Sequence, residues 1–294
     1  MRRGVPAPLL VLGAVASVQG GAAVATRLFP LAGPGGTVWL RLALSAVLLL
    51  AIARPRLRGR APREIGVAVA FGVVLAAMNA TFYESLDRIP LGVAVTFEFV
   101  GPLSLAVAGS RRRLDAVWVA LAATGVALLT SGGGQVRPVG VVLALVAGGF
   151  WAAYILLSKR VGAVFPGASG LSIALVVGAL VTAPLGIVSG GNALLQPGVV
   201  GRGAAVAMLS SAVPYSLELF ALRRLRASVF GVLMSMEPAF AAVSGLLFLG
   251  QHLELREWLA VGCVMAASIG STRTARRDEL PVDPGATPTE VVPA

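Results

Sequence analysis

SLDRIPLGVAVTFEFVGPLSLAVAG (residues 85–109) and ALRRLRASVFGVLMSMEPAFAAVSG (residues 221–245) align without a gap. Leu86 meets Leu222, Arg88 meets Arg224, Val93 meets Val229 and Pro102 meets Pro238; Ala106, Val107 and Gly109 then meet Ala242, Val243 and Gly245. Apolar helices share composition by chance, so the weight of the match rests on the prolines inside the apolar runs and on the shared loop position. After a four-residue gap Trp118 also meets Trp258. An offset of 136 residues therefore relates two halves of one chain, the kind of internal repeat from which many transporters are built.

The rest of the chain says what each half contains. Its 294 residues are 57% hydrophobic and 13% charged, with a mean hydropathy of +0.87, far outside the range of soluble domains. Crossing a hydrocarbon core of about 30 Å takes about 20 apolar residues in a helix. Ten such stretches occur, near 8–26, 34–53, 65–84, 90–109, 115–131, 138–158, 168–189, 203–222, 228–249 and 255–272. Lipid offers no partner for a backbone amide, and these stretches are too long and too uniformly apolar for barrel strands. The expected fold is an all-α polytopic membrane protein of ten transmembrane helices. The repeat divides it into residues 1–136 and 137–272, five helices each. Five is odd, so the halves enter the membrane in opposite orientations, related by a pseudo-two-fold axis in its plane. The first stretch follows MRR without a convincing cleavage site and reads as a retained helix rather than a signal peptide. Residues 273–294, rich in Pro, Thr and acidic residues, read as a disordered cytoplasmic tail.

A formal net charge of +11 raises the question of a nucleic-acid partner, and the placement of the charge answers it. Arg2, Arg3, the run Arg54 to Arg63, Arg111 to Arg113, Lys159, Arg160, Arg223, Arg224, Arg226, Arg273, Arg276 and Arg277 crowd every second boundary between apolar stretches. The other boundaries hold only Arg27, Arg88, Arg137, Arg202 and Arg256. This alternation is the positive-inside pattern of a chain with both termini in the cytoplasm. The partners it implies are the lipid bilayer and not nucleic acid.

Catalytic chemistry lacks its parts. Cys263 is the only cysteine and His252, in LGQHLELRE, the only histidine, so neither a disulfide framework nor a Cys/His metal set is available. No G-x-x-x-x-G-K-[ST] loop is present to bind a nucleotide. An enzyme is not expected, nor is a cofactor or metal.

The motif NATFYESLDRIPLGVAVTFEFVGPL (79–103) and its counterpart SAVPYSLELFALRRLRASVFGVLMSMEPAFAAVSGLLFLGQHL (211–253), with five helices plus five, resemble the EamA branch of the drug/metabolite transporter superfamily. The resemblance covers nearly the whole chain up to the tail. It implies a secondary exporter of the inner (plasma) membrane, with small amino acids such as threonine and homoserine as the leading cargo. The alternative within transport is other small metabolites or amphiphilic drugs; outside it, a membrane scaffold. A homo-oligomer is compatible with either.

The polar residues inside the apolar stretches are the candidates for that site. An ionised carboxylate at mid-bilayer costs several kcal/mol, roughly 2.5 or more, and so faces a cavity or a partner. Glu98 and Glu237 lie near the middles of spans four and nine, with no cationic residue within a turn of either. Leu91, Val95, Glu98 and Pro102 share a helix face, as do Phe230, Met234, Glu237 and Ala241. Span eight presents Ser211, Tyr215 and Glu218, and span three Asn79 and Tyr83. Glu218 is either functional or a partner of Arg223 and Arg224, and Glu84 reads as an interfacial ion pair with Arg88. Arg41, inside span two, can bind a substrate carboxylate, pair with a buried Glu or snorkel outward. An arginine there is frequent in EamA-like proteins, which favours a structural role. Gln19 and Tyr154, at corresponding depths in spans one and six, bond either a small polar substrate or a neighbouring helix. Few aromatic residues are expected around the site, which counts against large planar cargo. Pro102, Pro214 and Pro238 each remove a helical hydrogen bond and can kink their helix. A buried carboxylate can exchange a proton as the site opens to each side, so proton antiport is the expected coupling, with a proton and the cargo's ammonium group competing for Glu98 or Glu237.

Overall fold

The computed structural model describes residues 6–55, 59–108, 113–130, 137–165, 167–222, 224–225 and 227–275, and among them only helices and short connections occur. In chain order the helices are α1 (Ala7–Thr26), α2 (Phe29–Ala53), α3 (Pro62–Leu86), α4 (Leu91–Glu98), α5 (Val100–Ala108), α6 (Arg113–Thr130), α7 (Pro138–Val164), α8 (Ser169–Gly190), α9 (Pro197–Ala207), α10 (Val213–Leu222), α11 (Ala227–Met234), α12 (Glu237–Leu249) and α13 (Leu255–Ala275). Taking α4 with α5, α9 with α10 and α11 with α12 gives ten rods at the ten places predicted. Seven stretches among the described residues are long and apolar enough to cross a membrane. Residues 276–294, most of the expected tail, lie outside the described residues, as do Arg2, Arg3, Arg56, Arg58, Arg111, Arg112, Arg223 and Arg226.

The three interrupted rods break where proline dictates. Proline offers no N–H and its ring crowds the carbonyl four residues back, so the disturbance falls upstream of the ring. Thus α4 ends at Glu98, four before Pro102, and α11 ends at Met234, four before Pro238. Between α9 and α10 the chain widens into a π-helical turn over Met208–Ala212, just ahead of Pro214. The withdrawn N–H leaves the carbonyls four and five residues back, Ser210 O and Leu209 O, in need of donors. Both find them on other helices: Ser17 Oγ donates to Leu209 O at 2.7 Å, and Arg41 Nη2 to Ser210 O at 3.5 Å. A fourth bend lies in α2, where Gly33 takes φ 65° and ψ 168° before Pro34, a conformation that only glycine adopts without strain.

Neighbouring rods pair across the two halves. α2 lies along α8, α6 along α13 and α4 against α12; α3 packs on α7, and α1 on α9 and α10. α4 and α5 lean on α7, and α11 and α12 lean on α1. Lipid supplies no hydrophobic drive between helices, so close packing of small residues does this work. A Cβ on Gly92 would lie 2.7 Å from Ala242 Cα, and one on Gly101 only 1.9 Å from Gly148 O; in both places two backbones touch. The loop after α12 reaches back to cap α4, with Leu91 N donating to Gln251 Oε1 at 2.9 Å. At one end of α3, Arg88 Nη1 and Glu84 Oε2 form the expected ion pair at 2.7 Å.

Candidate functional site

The broken rods meet around a cavity of about 350 Å³. From the first half it is lined by Val18, Gln19 and Ala22 of α1, Arg41, Leu42 and Leu49 of α2, Leu75, Met78, Asn79 and Phe82 of α3, and Glu98 at the end of α4. From the second come Trp151 and Tyr154 of α7, Leu171 and Leu175 of α8, Ser210 and Ser211 of the π turn, Pro214 and Glu218 of α10, Met234 of α11 and Glu237 at the start of α12. Glu98 and Glu237 are only 8% and 6% exposed. Each sits at the break of its own rod, where an interrupted helix lets a side chain turn into the interior instead of staying in register with its neighbours.

Charges inside this cavity sense one another. Glu98 and Glu218 both lie within electrostatic reach of Glu237, and Arg41 within reach of Glu98. Arg41 neither snorkels nor forms an ion pair among the described residues. Its Nη1 donates to Tyr83 Oη at 3.2 Å, its guanidinium carbon stands 5.6 Å from the Tyr83 ring centre, and its Nη2 holds the Ser210 carbonyl. Among the described residues three polar atoms are buried without a hydrogen-bond partner at the lining: Gln19 Oε1, Arg41 Nε and Ser210 Oγ. Each such orphan costs about 1–3 kcal/mol, a cost that a bound polar solute or water removes. Asn79 spends its amide on its own helix, Nδ2 donating to Leu75 O at 2.8 Å. Ser45 Oγ donates to Ser211 Oγ at 2.9 Å and ties α2 to the π turn.

Of the residues expected from the sequence, Gln19, Arg41, Asn79, Glu98, Tyr154, Glu218, Glu237 and Pro214 line this cavity. Tyr83 does not. It is fully buried behind Arg41, because α3 presents Leu75, Met78, Asn79 and Phe82, an i, i+3, i+4, i+7 face, and residue 83 falls on the flank. Pro102 and Pro238 also lie off the lining, acting through the backbone. The side chain of Tyr215, on α10, lies outside the described residues, as does Arg223, a proposed partner of Glu218. The expectation of few aromatic residues is corrected: Phe82, Trp151 and Tyr154 all line the cavity. Phe82 and Trp151 carried no signal, being aromatic residues in apolar helices. Ser210 had one, standing four residues before Pro214, and the π turn brings it beside Ser211 on the same wall.

Long apolar helices around a cavity that holds three carboxylates and a guanidinium make the chain a multi-pass membrane protein. It belongs to the EamA-like transporter family, whose profile matches residues 138–273. The threonine/homoserine exporter RhtA of Escherichia coli strain K12 is 47% identical over 274 residues, 92% of each chain. The RhtA of Salmonella typhimurium strain SL1344 is 44% identical over the same lengths. An uncharacterized transporter of Bacillus subtilis strain 168, YwfM, is 26% identical over 70% of this chain and 73% of its own. A protein crystal structure superposes with a TM-score of 0.63 at 18% identity, covering 93% of this chain and 98% of that one; at that identity the likeness is one of fold.

Proposed function

We propose that this chain is a secondary active exporter of small amino acids of the threonine and homoserine kind, seated in the inner membrane and driven by proton antiport. The observation that carries the reading is one cavity lined by both halves that holds three carboxylates, Glu98, Glu218 and Glu237, and one guanidinium, Arg41. A zwitterion needs both signs of charge within a few ångströms, and this lining has both. The identity to exporters named for threonine and homoserine supports the same cargo class. With a raised cost of ionisation inside lipid, the carboxylates are the groups to trade a proton for the cargo's ammonium.

Alternating access is supported by the pairing of the rods. Exchanging the first five rods for the second five turns α3 on α7 into α10 on α1, turns α4 and α5 on α7 into α11 and α12 on α1, and returns α2 with α8 and α6 with α13 to themselves. That exchange symmetry supports two structurally equivalent repeats; we read them as inverted and rocking about a midplane site, with the alternating arginines favouring both termini in the cytoplasm. The aromatic walls, Phe82, Trp151 and Tyr154, favour a second reading in which amphiphilic metabolites or drugs are also carried.

The test is uptake of labelled threonine and homoserine into inside-out vesicles, with and without an imposed proton gradient, for wild type, Glu98→Gln and Glu237→Gln. The expected result is gradient-driven uptake in wild type that at least one substitution abolishes. Uptake that keeps its gradient dependence in both variants overturns proton coupling through these residues; no uptake by inserted wild-type protein overturns the cargo.

A further inference from the structure

We infer that Gln19 reads the side-chain hydroxyl of the transported amino acid, and so sets the preference for hydroxylated over plain aliphatic cargo. The inference rests on the amino-acid reading above. Gln19 is 3% exposed, lines the cavity from α1, and its Oε1 accepts from no donor among the described residues. The other two orphans of the same lining can both supply a hydrogen: Arg41 Nε only donates, and Ser210 Oγ can donate as well as accept. A hydroxylated amino acid brings three groups to be matched, namely a carboxylate, an ammonium and a hydroxyl.

The charges assign the first two. The carboxylate goes to Arg41, the one cation among the described lining residues, where Arg41 Nε and Ser210 Oγ both have unused hydrogens. The ammonium goes to the acidic wall of Glu98, Glu218 and Glu237, since a neutral amide cannot compete with three carboxylates for a cation. Among the three orphans, what remains is one neutral acceptor, Gln19 Oε1, and on the cargo one neutral donor, the hydroxyl. A volume of about 350 Å³ leaves room for a small amino acid and a few waters. A site with a buried acceptor waiting for a hydroxyl discriminates strongly against the analogue that lacks it, because the acceptor is then left unpaired.

Threonine and homoserine share one such analogue. Replacing the hydroxyl of either by hydrogen gives 2-aminobutyrate, so a single control serves for both. The experiment is transport by the full-length chain in proteoliposomes, with L-threonine, L-homoserine and L-2-aminobutyrate, comparing wild type with Gln19→Leu and Gln19→Met. In wild type threonine and homoserine are expected to exceed 2-aminobutyrate in kcat/KM by about tenfold or more. In both variants that ratio is expected to collapse toward one. A wild type that does not discriminate, or a preference that survives in either inserted variant, overturns the inference while leaving amino-acid export intact. Wild-type protein that carries none of the three overturns the amino-acid reading itself. Should neither variant insert, O-methylthreonine decides with wild type alone: it keeps the oxygen but has no proton to donate, and competition equal to that of threonine overturns the role of Gln19.

Discussion

Replacing Gly101 by alanine tests how Glu98 is held. The new Cβ would sit 1.9 Å from the Gly148 carbonyl oxygen and 2.8 Å from Gly148 Cα. Carbon and carbonyl oxygen rarely approach closer than about 3.3 Å, so α5 and α7 must part by roughly 1.4 Å. The obstacle is backbone, which cannot rotate aside as a side chain would. Glu98 feels the shift directly, since Gly148 packs on the Glu98 backbone, a Cβ there lying 2.5 Å from Glu98 O. Overpacking of this kind costs about 1–3 kcal/mol or more, against a gain of at most about 1 kcal/mol from removing a helical glycine. Gly149→Ala is the matched control: it lies one residue along, and nothing approaches its Cβ within 4 Å. The assay is thermal melting in detergent together with vesicle uptake. Gly101→Ala is expected to lower the melting temperature by several degrees and to reduce transport, and Gly149→Ala to do neither. Wild-type melting and uptake in Gly101→Ala would refute the backbone crossing and the placement of Glu98 built on it.

Tyr83→Phe removes the oxygen that accepts from Arg41 Nη1; leaving that buried donor unpaired should cost about 1–3 kcal/mol, seen as a lower melting temperature with a raised KM for uptake. Gln251→Ala strips the acceptor from Leu91 N–H at the start of α4 and should cost about 1 kcal/mol, as loss of a helix N-cap does, read by melting with insertion checked in membranes. Arg88→Gln breaks the ion pair with Glu84, which stands partly open to solvent at the end of α3; exposed pairs contribute about 0–1 kcal/mol, so melting and transport should stay near wild type.

The ten apolar stretches, the repeat and the interior acids were legible in the sequence because each rests on a local rule. Length and hydropathy define a span, a proline marks a lost hydrogen bond, and a carboxylate inside a span demands a cavity or a partner. Glu98 and Glu237 could be chosen on that ground alone, while Glu218, Gln19 and Arg41 each kept a structural alternative; all five line one cavity. Where a side chain points was decided by the tertiary structure. Tyr83 and Asn79 share a helical face on paper, yet the way α3 lies against α2 sends Tyr83 under Arg41 and leaves Asn79 at the lining. Pro214 announced a disturbance; that it would be a π turn whose freed carbonyls are taken up by Ser17 and Arg41 depended on which helices came to lie beside it. Phe82 and Trp151 became walls of the cavity only through the crossing of α3 and α7. Periodicity along one helix is a property of its own residues, whereas the partner of a side chain lies on another helix, tens to hundreds of residues away, and only packing brings the two together.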